Sequence, residues 1–414
     1  MDQKGFGWNV LARALFDLDE NWRAGAVLNR ASSRDYMRAF RLGAPQLLTS
    51  TAFLEGFWGV EGYARVDTRL YQALLARTGT SSVPFVLPYA FAEWVFPRDE
   101  LGGRITLDTQ GYSLWRSQGT DSRRIATRAG YELPLIGRFG EVWTVRGRAD
   151  LLAGWSQGLS QAPFFGPAGE DGAWTNANVR AAVDVRWPLL RSAGEWGSQL
   201  IEPRVQVVTG PNTGRQLRIP GEDSLDLEFT DATLFELNRF PGRDIQEGGT
   251  RVDAAMRAAW LFPNGGQIEG LVGRSFRASS EALFPAGSGL ERQASDWVAR
   301  ARLAPVPWFE VLGRTRLDGE TGEQRLWDIS GSVIGSRIAV TAGYLGTDPA
   351  PNGAYRKRDE ISLGSTLRIN ENWRLGAFGR YDRALTMSPS PCRAARCWAW
   401  SANRAPASRS PAFP

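Results

Sequence analysis

Long segments of this chain alternate between apolar and polar residues, and this alternation constrains the possible folds more than any other feature. The segment 360–369 (EISLGSTLRI) places its isoleucines and leucines on one face and its polar side chains on the other, as does 372–383 (NWRLGAFGRYDR). A period of two is typical of a β-strand with one apolar and one polar face. Because residues 370–373 form a short polar connection, the two segments are predicted to form a hairpin.

The same alternation predicts more strands upstream of this hairpin. These predicted strands are 337–345, 309–317, 297–304, 267–276, 252–262, 199–208, 179–187, 142–155, 125–133, 104–115 and 51–60. Turn-forming segments lie between several of them, at 318–323, 263–266 and 348–353. With about 18 to 20 residues for each strand and its connection, residues 21–382 would hold roughly 20 strands.

No apolar run approaches the about 18 to 20 residues of a membrane helix, so helical membrane spans are excluded. A β-barrel is compatible with the mean hydropathy of -0.30, because its strands are apolar only at alternate positions. The predicted fold is therefore all-β: a large antiparallel transmembrane β-barrel of about 20 strands, incomplete at both ends. A soluble β-sandwich or propeller is the alternative, since its strands also alternate.

Aromatic residues close to the ends of the predicted strands favour the barrel. There they would form the girdles at the two membrane interfaces, whereas in a soluble fold they would be ordinary core residues. These aromatic residues are Trp58, Trp94, Phe96, Trp115, Trp143, Trp155, Trp187, Trp260, Phe262, Trp297, Trp308, Trp327 and Trp373. Short turns also alternate with longer polar segments such as 156–176 and 209–226, as in outer-membrane barrels.

The charged residues exclude several classes of function. The chain has no histidine, which removes the Ser-His-Asp arrangement and the commonest metal ligand, so no catalytic residues, metal site or cofactor are expected. Its net charge of +5 comes almost entirely from arginine, with lysine only at Lys4 and Lys357. Charges of both signs are interspersed, so an anionic lipid is a better expected partner than nucleic acid.

The least generic segment is 222–252, which is predicted to form a long structured loop. Pro241 and Gly242 favour a sharp turn, and Gly248 and Gly249 favour positive φ. Its charges nearly balance, so a network of ion pairs that folds the loop on itself is expected. The alternative is a purely structural loop, whose polar groups bond only to one another.

This segment resembles the signature of the LptD family of lipopolysaccharide-assembly proteins, also called OstA or Imp. The matching residues are Glu222, Asp223, Ser224, Phe229, Asp231, Leu234, Phe235, Asn238, Arg239, Phe240, Gly242, Asp244, Glu247, Gly249 and Arg251. Flanking segments resemble the family too: 200–208, 32–40, 86–94 and 102–124. The resemblance covers about residues 8–383.

The resemblance implies an outer-membrane translocon component, not an enzyme, that assembles lipopolysaccharide into the outer leaflet. Its implied partners are lipopolysaccharide, an LptE-type lipoprotein plug, and a periplasmic Lpt bridge reached through an N-terminal jellyroll domain. The implied location is the cell outer membrane. General diffusion porins, and soluble or membrane-attached polysaccharide-acting β proteins, are the alternatives. The sequence contains no GxxxxGK[ST] nucleotide motif, so energy would come from upstream transport components.

Both ends of the chain depart from the family plan. No signal peptide or jellyroll is recognised before residue 8, and we expect residues 1–383 to be a truncated barrel domain. Residues 384–414 lose the alternation and are expected to be an aberrant, out-of-frame tail. Its cysteines, Cys392 and Cys397, are not expected to form a redox or metal site.

Overall fold

The computed structural model describes residues 6–40, 42, 47–74, 83–159, 170–211, 218–224, 227–278, 283–349, 357–383 and the backbone of 397–404. These residues form one antiparallel sheet of 20 strands. The strands are β1 (Asn9–Asp17), β2 (Trp22–Ala31), β3 (Leu47–Trp58), β4 (Gly62–Ala73), β5 (Phe85–Arg98), β6 (Arg104–Trp115), β7 (Asp121–Ile136), β8 (Val142–Gln157), β9 (Gly172–Arg186), β10 (Leu189–Ser192), β11 (Ser198–Thr209), β12 (Arg251–Leu261), β13 (Gln267–Arg277), β14 (Trp297–Val306), β15 (Phe309–Leu317), β16 (Gln324–Ile334), β17 (Ile338–Thr347), β18 (Arg358–Arg368), β19 (Trp373–Asp382) and β20 (Cys397–Arg404).

The sheet is a meander in which successive strands pair side by side. Strands β9 and β10 both pair with β11, so they act as one strand interrupted at Trp187 and Pro188. The predicted hairpin is confirmed as β18 and β19, whose turn is closed by two backbone N–H groups donating to Asn370 Oδ1. The prediction of an all-β antiparallel fold with about 20 strands is confirmed.

Little helix is present. Among the described residues, α1 (Arg34–Ala39) lies in the connection from β2 to β3, and a 3-10 helix (Gly194–Trp196) lies before β11. No helix in this described part of the chain is both long and apolar enough to cross a membrane. Several predicted strands are longer in the structure, and the one predicted at 179–187 begins at Gly172; others, such as the one predicted at 51–60, end earlier than expected. Those at 309–317 and 104–115 keep their predicted bounds.

The two faces of the sheet are inverted relative to a soluble protein. In β9, Asn178 and Arg180 are 1% and 2% exposed, whereas Val179 between them is 61% exposed. Strand β8 repeats this pattern with Asp150 at 1% and Leu151 at 57%. An apolar surface of this extent is stable only against hydrocarbon or another apolar partner. We call the apolar face the outer face and the polar face the inner face.

The two ends of the sheet differ in the length of their connections. At one end, the turns such as those from β3 to β4 and from β14 to β15 contain two to five residues. At the opposite end the connections reach 41 residues, in the segment 210–250 between β11 and β12. Outer-membrane barrels show the same asymmetry, with short periplasmic turns and long extracellular loops.

Exposed tryptophans lie near both ends of the strands. On β8, Trp143 and Trp155 are 41% and 38% exposed on the outer face, with the apolar Val145 and Leu151 between them. At about 3.3 Å per residue and a tilt of roughly 40°, their separation corresponds to about 30 Å along the membrane normal. That distance matches the hydrocarbon thickness of a bilayer, as expected for two interfacial girdles.

Candidate functional site

The long connection 210–250 is called the plug loop here, and its described residues pack against the inner face of the sheet. Its apolar centre contains Phe229, Leu234 and Phe240, and it also takes in Leu290 from the connection between β13 and β14. Phe229 and Leu234 are completely buried. This is the largest apolar cluster among the described residues, so the plug loop has a core of its own inside the sheet.

A tight corner of the plug loop is built around Asp223. Its Oδ1 accepts hydrogen bonds from the backbone N–H groups of Arg243 and Asp244, at 3.0 and 3.1 Å. Gly242 has φ +70, and a Cβ at that position would meet the Asp223 side chain and backbone. These donors and the Arg124 guanidinium outweigh burial and hold the pKa of Asp223 below its usual value. The predicted turn at Pro241 and Gly242 is confirmed.

Asn238 closes the next part of the plug loop. Its Oδ1 accepts the backbone N–H of Glu247 at 2.8 Å. Its Nδ2 donates to the carbonyls of Phe240 and Ile245, at 3.1 and 3.0 Å. Because the side chain bonds three backbone groups at once, it fixes the fold of the segment between Asn238 and Glu247.

Glu247 is a heavily paired acid of the plug loop. Its carboxylate contacts the guanidinium groups of Arg239, Arg251 and Arg277, and its side chain is 0% exposed. Burial alone would raise its pKa, but the three guanidinium groups outweigh burial and hold the pKa well below the ordinary value. Arg277 belongs to β13, so this buried cluster also ties the plug loop to the inner face of the sheet.

On one side, the plug loop is anchored to strands β6 and β7 and to the turn between them. Glu222 pairs with Arg116 at 2.7 Å, Asp244 pairs with Arg124, and Arg243 pairs with Asp108. Each ion pair is partly or wholly buried, so breaking one would leave an uncompensated charge away from water.

On the other side, Asp231 of the plug loop lies between Arg300 of β14 and Arg314 of β15, at 3.1 and 3.4 Å. Strands β7 and β15 would be roughly 34 Å apart in a flat sheet with a strand spacing of about 4.8 Å. The segment from Asp231 to Asp244 is folded around Asn238 and cannot span that distance. The sheet must therefore curve around the plug loop, with the inner face as the wall of a lumen.

The structure brings the predicted signature residues together in this one region. Ser224, Phe235, Asn238, Arg239 and Arg251 are buried. Gly249 has the expected positive φ of +78, whereas Gly248, for which a positive φ was also expected, does not. The expectation that the charges fold the loop on itself holds only in part, because many ion pairs run to the strands. The partners on the strands were not predicted. The sequence could have indicated them, because Arg124, Arg300 and Arg314 each occupy a strand position on the inward-facing side of the alternation.

The structure says little about the two cysteines and about metal binding. Cys392 lies outside the described residues, and Cys397 begins β20, which pairs with β19. Within the described ranges, no group of three or more acidic, cysteine or histidine side chains could hold a metal ion. The expectation of an out-of-frame tail stays a prediction.

Comparison with known proteins gives one family and several structural likenesses. The family model described as LptD, LPS transport system D, matches residues 6–373. The siderophore receptor PirA from Pseudomonas aeruginosa is similar over 96% of this chain and 77% of its own, with 10% identity and a TM-score of 0.43. BauA, the ferric preacinetobactin receptor from Acinetobacter baumannii, has the same identity and coverages and a TM-score of 0.34. No curated protein matches.

Proposed function

The chain belongs to the LptD family of lipopolysaccharide transport proteins, and from this membership we propose that it forms the wall of an outer-membrane translocon that assembles lipopolysaccharide into the outer leaflet. The observation that carries the proposal is the inversion of the two faces of the sheet. Lipopolysaccharide has anionic sugars and several acyl chains. A polar inner face suits the sugars and phosphates, while an apolar outer face keeps the wall in hydrocarbon.

We also propose an orientation from the unequal connections. The end with short turns would face the periplasm, and the end with the plug loop would face the outside. Lipopolysaccharide would then approach from the short-turn end, where it would be delivered by periplasmic components of the same transport system. No bond is made or broken in this role, and the energy would come from those components.

The proposed partners are lipopolysaccharide, a periplasmic Lpt bridge and an LptE-type lipoprotein. The plug loop leaves space in the lumen for such contacts. A cavity of about 400 Å³ lies between Thr230 of the loop and β15 to β18, and its lining includes Arg314, Asp328 and Arg358. This polar lining favours a hydrated path over a dry core.

Complementation would test the proposed function. The resident homologue would be depleted from a Gram-negative host, and this protein would be expressed in its place. We expect growth to be restored and lipopolysaccharide to reappear on intact cells, as measured by surface antibody binding. A variant with Val179→Arg on the outer face serves as the membrane-insertion control.

Two outcomes would contradict the proposal. The first is normal protein level in the outer membrane without surface lipopolysaccharide. The second is a steady ion conductance of the purified full-length protein in a planar bilayer as large as that of a diffusion porin, since a porin has an unobstructed lumen whereas here the plug loop occupies part of it. Loss of protein in the Val179→Arg control would show that the assay responds to membrane insertion.

A further inference from the structure

A cationic cavity lies in the lumen wall on the side of the short turns. It has a volume of about 340 Å³, within the usual range of about 300 to 1,000 Å³ for small-molecule sites. Its lining contains one acid, Glu132, together with Leu237 of the plug loop and five arginines. The arginines are Arg98, Arg104, Arg128, Arg146 and Arg148.

Arg98 and Arg104 lie directly opposite each other on β5 and β6. A one-residue irregularity between Val95 and Arg98 creates this pairing, since without it Pro97 would face Arg104. Like charges directly opposite in a sheet are destabilising. A bulge that aims a second arginine at the first therefore costs stability, and the sheet alone gains nothing from it.

The same wall has a second pair of facing arginines. Arg148 on β8 lies opposite Arg180 on β9. Asp150 is the acid beside them, but its oxygens already accept hydrogen bonds from Arg128 at 2.8 Å and from Arg148 at 2.6 and 3.0 Å. Arg180 donates to Gln246 of the plug loop at 2.7 Å. The positively charged side chains on this wall thus outnumber the negatively charged ones.

On the opposite wall, a carboxylate neutralises a similar pair of facing arginines. Arg300 and Arg314 also lie directly opposite each other, on β14 and β15, and the Asp231 carboxylate sits between them. Among the described residues, no carboxylate forms an ion pair with Arg98 or Arg104. Arg98 instead donates to the carbonyl of Gly102 at 2.6 Å. Glu132 lies directly opposite Arg104 on β7, but its carboxylate pairs with Arg146 at 3.4 Å. The pair of Arg98 and Arg104 therefore has the geometry of an anion site and no ion pair with a carboxylate of the described residues.

We propose that Arg98 and Arg104 bind phosphate groups of the lipopolysaccharide core as it enters the lumen from the short-turn end. The inference rests on the proposed function for the identity of the ligand and its direction of approach. Two guanidinium groups offer paired N–H donors that match the oxygens of a phosphate. The five arginines that line the cavity outnumber the two acids that pair with some of them, Glu132 and Asp150, and this excess of positive charge favours a polyanionic sugar over a neutral one.

Direct binding tests the site. The full-length protein, purified from membranes with its native partners, is titrated calorimetrically with phosphorylated lipopolysaccharide core oligosaccharide freed of its lipid. Phosphatase-treated oligosaccharide and glycerol phosphate, which stands for a phospholipid headgroup, are titrated in parallel. We expect the R98Q/R104Q variant and phosphatase treatment each to weaken binding at least tenfold. Arg302→Gln is the matched control, because Arg302 faces the lumen from β14 but pairs with Glu310 at 2.8 Å.

Each outcome decides the matter. Equal affinity of wild type and R98Q/R104Q, no effect of phosphatase, or tighter binding of glycerol phosphate would overturn the site. Unchanged thermal unfolding of the variant would show that it folds, and Arg104→Lys should recover part of the binding. A protein that shows this arginine-dependent binding but restores no surface lipopolysaccharide contradicts the proposed function alone. A protein that restores surface lipopolysaccharide but binds the oligosaccharide equally well without Arg98 and Arg104 contradicts this site alone.

Discussion

Glu247→Gln is the substitution that best tests how the plug loop is held. The glutamine keeps the size of the side chain, so no cavity forms, but it removes the single negative charge that Arg239, Arg251 and Arg277 share. The backbone hydrogen bond from Glu247 to Asn238 stays geometrically possible. The change therefore isolates the electrostatic contribution of the carboxylate.

Its expected magnitude follows from burial. Removing one partner of a fully buried ion pair costs about 3 to 5 kcal/mol, because the remaining charges stay away from water without compensation. At about 1.4 kcal/mol for each factor of ten, transient release of the plug loop should become roughly a hundred to a few thousand times more frequent. The exposed acid Glu320, 66% exposed beside Arg292, is the matched control, and Glu320→Gln should cost about 0 to 1 kcal/mol.

Hydrogen exchange measured by mass spectrometry on the full-length protein would report this release. We expect peptides covering 238–250 to exchange faster in Glu247→Gln, while peptides from β8 and β9 stay protected. Unchanged exchange in 238–250 would refute the assignment of Glu247 as the anchor. Equal loss of protection in β8 and β9 would instead show that the loop and wall unfold as one unit.

Three further predictions use the same structure. Gly242→Ala should destabilise the plug loop more than Gly249→Ala by hydrogen exchange, because both have positive φ but only the first Cβ meets other atoms. Val179→Arg should cost about 2 to 4 kcal/mol in bilayer insertion, whereas Ser330→Arg on the inner face of β16 should be tolerated, as measured by folded fraction in vesicles. Because the pKa of Glu247 is lowered in the folded state, the stability it contributes is full above about pH 5 and is lost as pH falls through the folded-state value, measurable by protease sensitivity of the loop.

The strands could be predicted from the sequence where alternation is clean. In β15, charged residues alternate with Phe309, Val311 and Leu317, and in β6 polar residues alternate with Ile105 and Leu107. Both strands were predicted at their observed bounds. Strand β5 was not predicted from alternation, although its segment 86–94 resembles the family, since Pro88 and Pro97 and two irregularities of pairing disturb its period. Strand β16 was missed because its centre, around Ser330 and Gly331, has little contrast between faces.

Only the parts of the site that lie close together in the sequence could be predicted. The turn at Gly242 follows from the residue types, and the buried acids are among the residues of the signature. Their partners could not be assigned, because the ion pair between Asp231 and Arg300 depends on how far the sheet curves. The facing of Arg98 and Arg104 depends on one inserted residue in β5, which shifts the register without changing the composition.

The plug loop and the cationic cavity share a boundary, and this limits how a ligand could move. Leu237 of the loop lines the cavity, and its carbonyl accepts a hydrogen bond from Arg180 at 3.4 Å. A sugar held by Arg98 and Arg104 would thus lie directly beneath the loop. Moving along the lumen axis towards the long connections would require displacing the loop, against the buried pairs of Glu247. Acyl chains gain nothing from that polar path and are accommodated only at the apolar outer face, so the two halves of an amphipathic lipid would have to follow different sides of the same wall.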